Sequence, residues 1–147
     1  VIKNGNLVDK AGTEVRLMGH AREIFQELYT SDKWKDSKVA FASKCDEPSW
    51  GRECIKKFIV QDKVTLGDVV KNMTIDKRNK KEHIREHCKK LEIEDFEDVI
   101  FFDNERGNCN SVATLGCTVI YCPNGLTKKV WEEGIAKFPS PKKVIRL

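Results

Sequence analysis

Asp98-Val99-Ile100-Phe101-Phe102-Asp103-Asn104-Glu105 runs four consecutive apolar residues straight into an acidic cluster. A short, unbroken apolar run reads as a strand buried on both faces, the kind found inside a parallel sheet. Acidic side chains just past its carboxyl end fall where open α/β sheets bind their ligands. Asp103 is therefore the first candidate functional residue. Two roles are open to it, and one residue can fill both: Asp is a favoured helix N-cap, and it is a hard metal ligand.

Two further apolar runs flank this one in the chain. Lys38 to Ser43 (KVAFAS) precedes it and ends in Ser43-Lys44-Cys45-Asp46; Cys117 to Tyr121 (CTVIY) follows it and closes at Pro123-Asn124-Gly125. Between and around them lie helical patterns. His20 to Tyr29 carries Ala21, Ile24, Phe25 and Leu28 on one stripe. Helices are also predicted from Pro48 to Phe58, from Lys80 onward with Ile84, Cys88 and Leu91 inward, from Glu105 to Leu115, and from Leu126 to Phe138. Gly116 ends the fourth of these, as glycine commonly does. Leu7 to Leu17 reads as a hairpin around Asp9-Lys10-Ala11-Gly12-Thr13. Val64 to Val70 reads as a short helical turn followed by a weak strand. The tail, residues 139–147, is basic and reads as loose, although Val144-Ile145 has the character to pair. Strands alternating with helices predict an α/β fold: a three-layer, Rossmann-like parallel sheet with helices on both faces and a small hairpin flap over residues 1–18.

Composition bounds the function classes. A chain of 147 residues fits one domain, and 34% charged against 39% hydrophobic residues fits an ordinary globular surface. The net charge of +4 is too mild to argue for nucleic acid. The basic stretch Lys77, Arg78, Lys80, Lys81, Arg85, Lys89, Lys90 reads as a solvated helix face. No apolar run approaches the ~18–20 residues of a membrane span. The six cysteines form no Cys-x-x-Cys, so reduced thiols in an intracellular compartment are expected. The Val1 start reads as processing or as further residues upstream. His83 and His87 stand four apart, a spacing that can hold a metal, but no acidic third ligand sits beside them and they read as surface residues.

Ser43, Lys44, Lys80, Asp103 and Asn104 all follow strand ends or open a helix. A hydroxyl, lysines and a carboxylate at one sheet edge suit a phosphate together with a magnesium ion. The hydroxyl and nearby amides meet phosphate oxygens, lysine neutralises their charge, and the carboxylate takes a hard cation that keeps several waters.

At this point the chain resembles the magnesium-dependent phosphatases of the haloacid dehalogenase superfamily, the small members without a large cap. Asn4-Gly5-Asn6-Leu7-Val8-Asp9 to Leu17 resembles their flap hairpin. Val39-Ala40-Phe41-Ala42-Ser43 resembles the second motif, whose Ser or Thr binds phosphate. Lys80-Lys81-Glu82-His83-Ile84 resembles the third, lysine-bearing motif; Lys80 fits the spacing to His83, Lys81 the spacing to Asp103, and Lys80 is preferred. Phe101-Phe102-Asp103-Asn104-Glu105-Arg106-Gly107-Asn108 resembles the fourth, metal-binding motif. The resemblance implies phosphomonoester hydrolysis through an aspartyl-phosphate. Ser43, Lys44 and Lys80 would then hold phosphate and Asp103 and Asn104 would hold Mg2+, with a phosphorylated small molecule or protein as substrate.

The departures matter as much. The family's first motif, Asp-x-Asp-x-Thr after a central strand, supplies the nucleophile, and no Asp-x-Asp occurs in residues 1–18. Asn104 stands where relatives usually carry a second Asp, which predicts weaker magnesium binding. A sheet without that central strand would have two inner edges unpaired. An upstream segment, another chain, or a different closure of the sheet would then complete it. The expected function is thus a phosphatase domain that is inactive as the chain stands; the alternative is a catalytically dead scaffold or interaction subunit.

Overall fold

The computed structural model describes residues 1–3 and 6–147, with Asn6 described by its backbone alone. Asn4 and Gly5, which the resemblance puts in the flap, lie outside the described residues. β1 (Ile2–Lys3) pairs antiparallel with β2 (Asn6–Leu7). A Val8–Glu14 bridge and the Val15 amide on the Leu7 carbonyl close the predicted hairpin. Gly12 turns it at φ 86°, a left-handed value that costs glycine nothing.

The chain then runs α1 (Ala21–Thr30), β3 (Ala40–Ser43), α2 (Pro48–Lys57), β4 (Ile59–Gln61), β5 (Val64–Thr65), α3 (Leu66–Val69) and β6 (Asn72–Ile75). It continues with α4 (Lys80–Leu91), β7 (Ile100–Asp103), α5 (Arg106–Ala113), β8 (Thr118–Tyr121), α6 (Lys128–Ala136) and β9 (Val144–Arg146). The fold is α/β, with parallel strands and interleaved helices. The helices and the three apolar strands fall where the sequence puts them.

Three elements in the middle of the chain differ from expectation. β4 and β5 form a small antiparallel hairpin. β6 is a true strand, parallel to β3 with Ala40 opposite Asn72 and Ser43 opposite Ile75. The C-terminal segment is also corrected. It is docked rather than loose: β9 pairs parallel with β8, Ile145 opposite Ile120, and Ile145 packs against the core that holds Ile120, Cys122 and Val130.

The parallel strands do not make one sheet. β6-β3 form one pair and β7-β8-β9 a separate three-stranded sheet, and no ladder joins β3 to β7 among the described residues. The backbone groups show which edges are bare. Val39 and Ser43 offer their carbonyls to Lys71 and Asp76, on the β6 side. Val99 and Asp103 offer theirs to Thr118 and Cys122, on the β8 side. Peptide groups alternate along a strand, so those of Ala40, Ala42, Ile100 and Phe102 face the break between β3 and β7.

Packing holds the two sheets together from both sides. On one face α4 lies across the break: Ile84 and Cys88 share a core with Phe101, Cys109, Val112 and Val119, and Ala42 packs against the same cluster. On the other face the Trp131 ring stands 5.4 Å from Trp34 and 5.6 Å from Phe102. Gly134 lets α6 sit this close; a Cβ there would lie 3.0 Å from the Phe102 ring. Trp50, on α2, is by contrast 65% exposed.

The histidines of α4 are corrected too. His83 is 0% and His87 5% exposed. They face β6 and the residue just past it: Asn72 and Thr74 share one side of the strand, and Asp76 continues that spacing. Asn72 pairs with His87 Nδ1 at 2.8 Å, and Asp76 pairs with His83 Nε2 at 2.8 Å. This polar layer between helix and strand carries an amide and a carboxylate where a stripe of aliphatic residues is the usual filling.

Candidate functional site

The carboxyl ends of β3 and β7 meet at one side chain. Lys80, first residue of α4, reaches over the break and donates a hydrogen bond to the Ala42 carbonyl on the bare edge of β3. The same ammonium stands 3.2 Å from Asp103 Oδ2 at the tip of β7. Both side chains are 8% exposed. Other ion pairs of the molecule, such as Lys90–Glu86 and Lys128–Glu132, lie at the surface, where such contacts are worth about 0–1 kcal/mol. Removing one partner of a buried pair instead costs about 3–5 kcal/mol, because the other charge is left without compensation. Of the two lysines the sequence offers, Lys80 is the one that lies against Asp103, and Lys81 is half-buried.

Asp103 serves the turn as well as the lysine. Its Oδ1 accepts the Glu105 amide at 2.7 Å, and the Asn108 side-chain amide lies 3.3 Å from Oδ2. The N-cap position of α5 belongs to Glu105, whose own side chain makes no cap bond. Asp103 thus fixes the strand-to-helix turn from two residues upstream, an Asx-turn arrangement. Its backbone carbonyl accepts the Cys122 amide at 3.0 Å, so its main chain is pinned to the β8 side. Burial, with the Asp103 charge adding to it, pushes the Cys109 thiol up to about 12 and the Cys122 thiol up to about 11, so neither is a thiolate. All six cysteines are free.

The other residues singled out in the sequence are placed as follows. Ser43 ends β3, one residue beyond the carbonyl that Lys80 holds, and its own carbonyl accepts the Asp76 amide at 3.1 Å. Lys44 and Asn104 are exposed on the loops that follow β3 and β7. The fold therefore brings Ser43, Lys80 and Asp103 to one edge, with Lys44 and Asn104 on its outer rim. Three contributors were not legible beforehand. Asn108 holds Asp103 and Glu105 from the first turn of α5. Asp76 and His83 tie the β6 end to α4; Arg78, first of all, keeps the Asp76 carboxyl well below the usual range.

A family model described as Acid Phosphatase matches residues 1–140. The chain belongs to that family. These are haloacid-dehalogenase-type acid phosphatases, as the order of motifs in the sequence implies. Curated proteins yield no match. Members are typically magnesium dependent. The donors here are one buried carboxylate, Asp103, engaged by an ammonium, and a neutral amide, Asn104. No group of three His, Cys, Asp or Glu among the described residues is placed to hold a metal ion. Magnesium asks for a nearly octahedral shell of hard oxygens. The residues of this chain alone do not fit it. No helix among the described residues is long and apolar enough to cross a membrane.

Proposed function

We propose that this chain forms the phosphate-holding side of a phosphomonoesterase site, completed by a strand bearing the aspartate nucleophile between β3 and β7. The observation that carries the reading is Lys80, buried between the bare Ala42 carbonyl and Asp103. A lysine in that place meets the end of any strand seated in the break and offers a fixed positive charge to a phosphoryl group there. In this reading Ser43 and Lys80 hold phosphate oxygens, with Lys44 at the rim. Only in the completed site would Asp103 give a magnesium ion its one anionic ligand from this chain, with Asn104 beside it. Lys80 would stabilise charge on the phosphoryl oxygens as it develops, the effect of a preorganised donor in a dry site. Residues 1–147 alone then bind without turning over.

The test extends the chain ahead of Val1 by an apolar strand ending in Asp-x-Asp-x-Thr. It follows p-nitrophenyl phosphate with magnesium present. The extended protein should turn over, and changing the first Asp of the added motif to Asn should abolish it. Turnover by the unextended chain would overturn the reading. A second reading, a scaffold subunit without hydrolysis, draws on Asn104, which removes a negative charge from the rim. That reading expects no turnover even after extension.

A further inference from the structure

Asp76 is the first residue past β6, and His83 lies three residues into α4 beyond Lys80, on the same side of the helix. The geometry points to the Asp76–His83 pair as a positioning device that holds Lys80 in register with the end of β3. It rests on the reading of Lys80 and Ser43 as oxyanion holders given above.

Asp76 is tied in three directions. Its backbone amide donates to the Ser43 carbonyl at 3.1 Å. Its carboxylate takes His83 Nε2 at 2.8 Å. The same carboxylate takes the Arg78 guanidinium at 2.7 Å, and that guanidinium also reaches Glu86 at 2.6 Å. One residue thus fixes the tip of β3 through its main chain and the first turn of α4 through its side chain. The connecting turn is also tied. Asn79 caps α4 by accepting the Glu82 amide at 3.0 Å, and Glu82 returns a carboxylate to the Asn79 amide at 3.2 Å.

His83 is fully buried, and an aliphatic residue there would avoid desolvating an imidazole. What the imidazole adds is direction. A slip of α4 by one residue moves it about 1.5 Å along its axis and turns it by about 100°. That would take the ammonium of Lys80 away from both Ala42 and Asp103. His83 meets Asp76 in a single rotation and height of the helix, so the pair selects the setting in which Lys80 bridges the break. His87 meets Asn72 one turn further on and backs the same setting.

The test reads Lys80 directly, without any phosphate: reductive methylation of lysine amines by formaldehyde and a borohydride, quantified at Lys80 by peptide mass spectrometry. In His83→Ala, Lys80 should be modified on the order of tenfold faster than in the parent chain, the effect of losing one hydrogen bond to a charged group. His83→Gln, whose amide can still donate to Asp76, should restore protection. A His83→Ala chain that keeps Lys80 as protected as the parent overturns the proposal, as does a His83→Gln chain that fails to rescue. If His83→Ala does not fold, Asp76→Ala, which removes the acceptor facing His83, is read the same way. Faster modification supports the pair, and unchanged protection overturns it. An extended protein that never turns over phosphoester, alongside this pattern at Lys80, would sink the functional reading and leave the positioning role standing.

Discussion

Lys80 satisfies two groups that would otherwise be stranded: a carbonyl on a bare strand edge and a nearly buried carboxylate. Lys80→Met keeps the length of the stem and removes the charge. It should cost about 3–5 kcal/mol in urea unfolding, because Asp103 is left charged and dry. Asp103→Asn should cost less than Lys80→Met, since its amide oxygen can still accept from Glu105. The double variant Lys80→Met with Asp103→Asn should lose less than the sum of the singles, and strict additivity would show that the two do not interact. Lys80 was singled out in the sequence through the resemblance to a lysine-bearing motif, with Lys81 as the other choice. The burial of His83 was not legible. Helical patterning sends polar residues outward, and nothing local shows that Asp76 and Asn72, from another element, fold back to meet the imidazoles.

The α4–β6 layer sets a pH response at the scale of the element. Burial, first of all, lowers the affinity of His87 for a proton. The Phe41 backbone and then Glu86 oppose this, and His83 and Lys90 reinforce it. The unfolded chain therefore binds a proton that the folded chain resists. Stability should fall as the pH drops through the ordinary histidine range near ~6.5 and level off once His87 also protonates in the folded state. His87→Gln should flatten stability between about pH 7 and 5, measured by urea unfolding at each pH; an unchanged slope would count against it. Asp76 acts in a lower window with the other origin. Its folded carboxyl is held down by Arg78, so its contribution is present above ~4 and lost below it. β6 itself was hard to read for the reason that makes it interesting. Asn72 and Thr74 interrupt its apolar run because that face meets histidines rather than aliphatic side chains. β9 was only half legible, as a Val144-Ile145 pair able to join a strand inside a tail expected to be loose, because three residues are too short for a period. Ile145→Asp should nevertheless cost about 2 kcal/mol or more, since it drives a charge against the Ile120 core.

Across the whole molecule, the apolar strands β3, β7 and β8 were plain in the sequence, and with them the α/β class. The break between β3 and β7 was foreseeable only through the family's missing motif, since no stretch of residues 1–147 announces a neighbour it lacks. Two bare parallel edges facing each other are an invitation to foreign strands. Sedimentation of the chain should show association that grows with concentration, and the extended form of the chain should stay smaller at the same concentration. Equal behaviour of the two forms would mean that the break is closed by packing alone. The tryptophans offer an optical view of the same event. Trp34 and Trp131 share one aromatic cluster, while Trp50 stands alone in solvent just past the loop that leaves β3. Iodide should therefore quench a minor, red-shifted share of the emission, and that share should vanish in Trp50→Phe. The molecule carries its own fluorescent reporter within a few residues of the edge where a ligand would arrive.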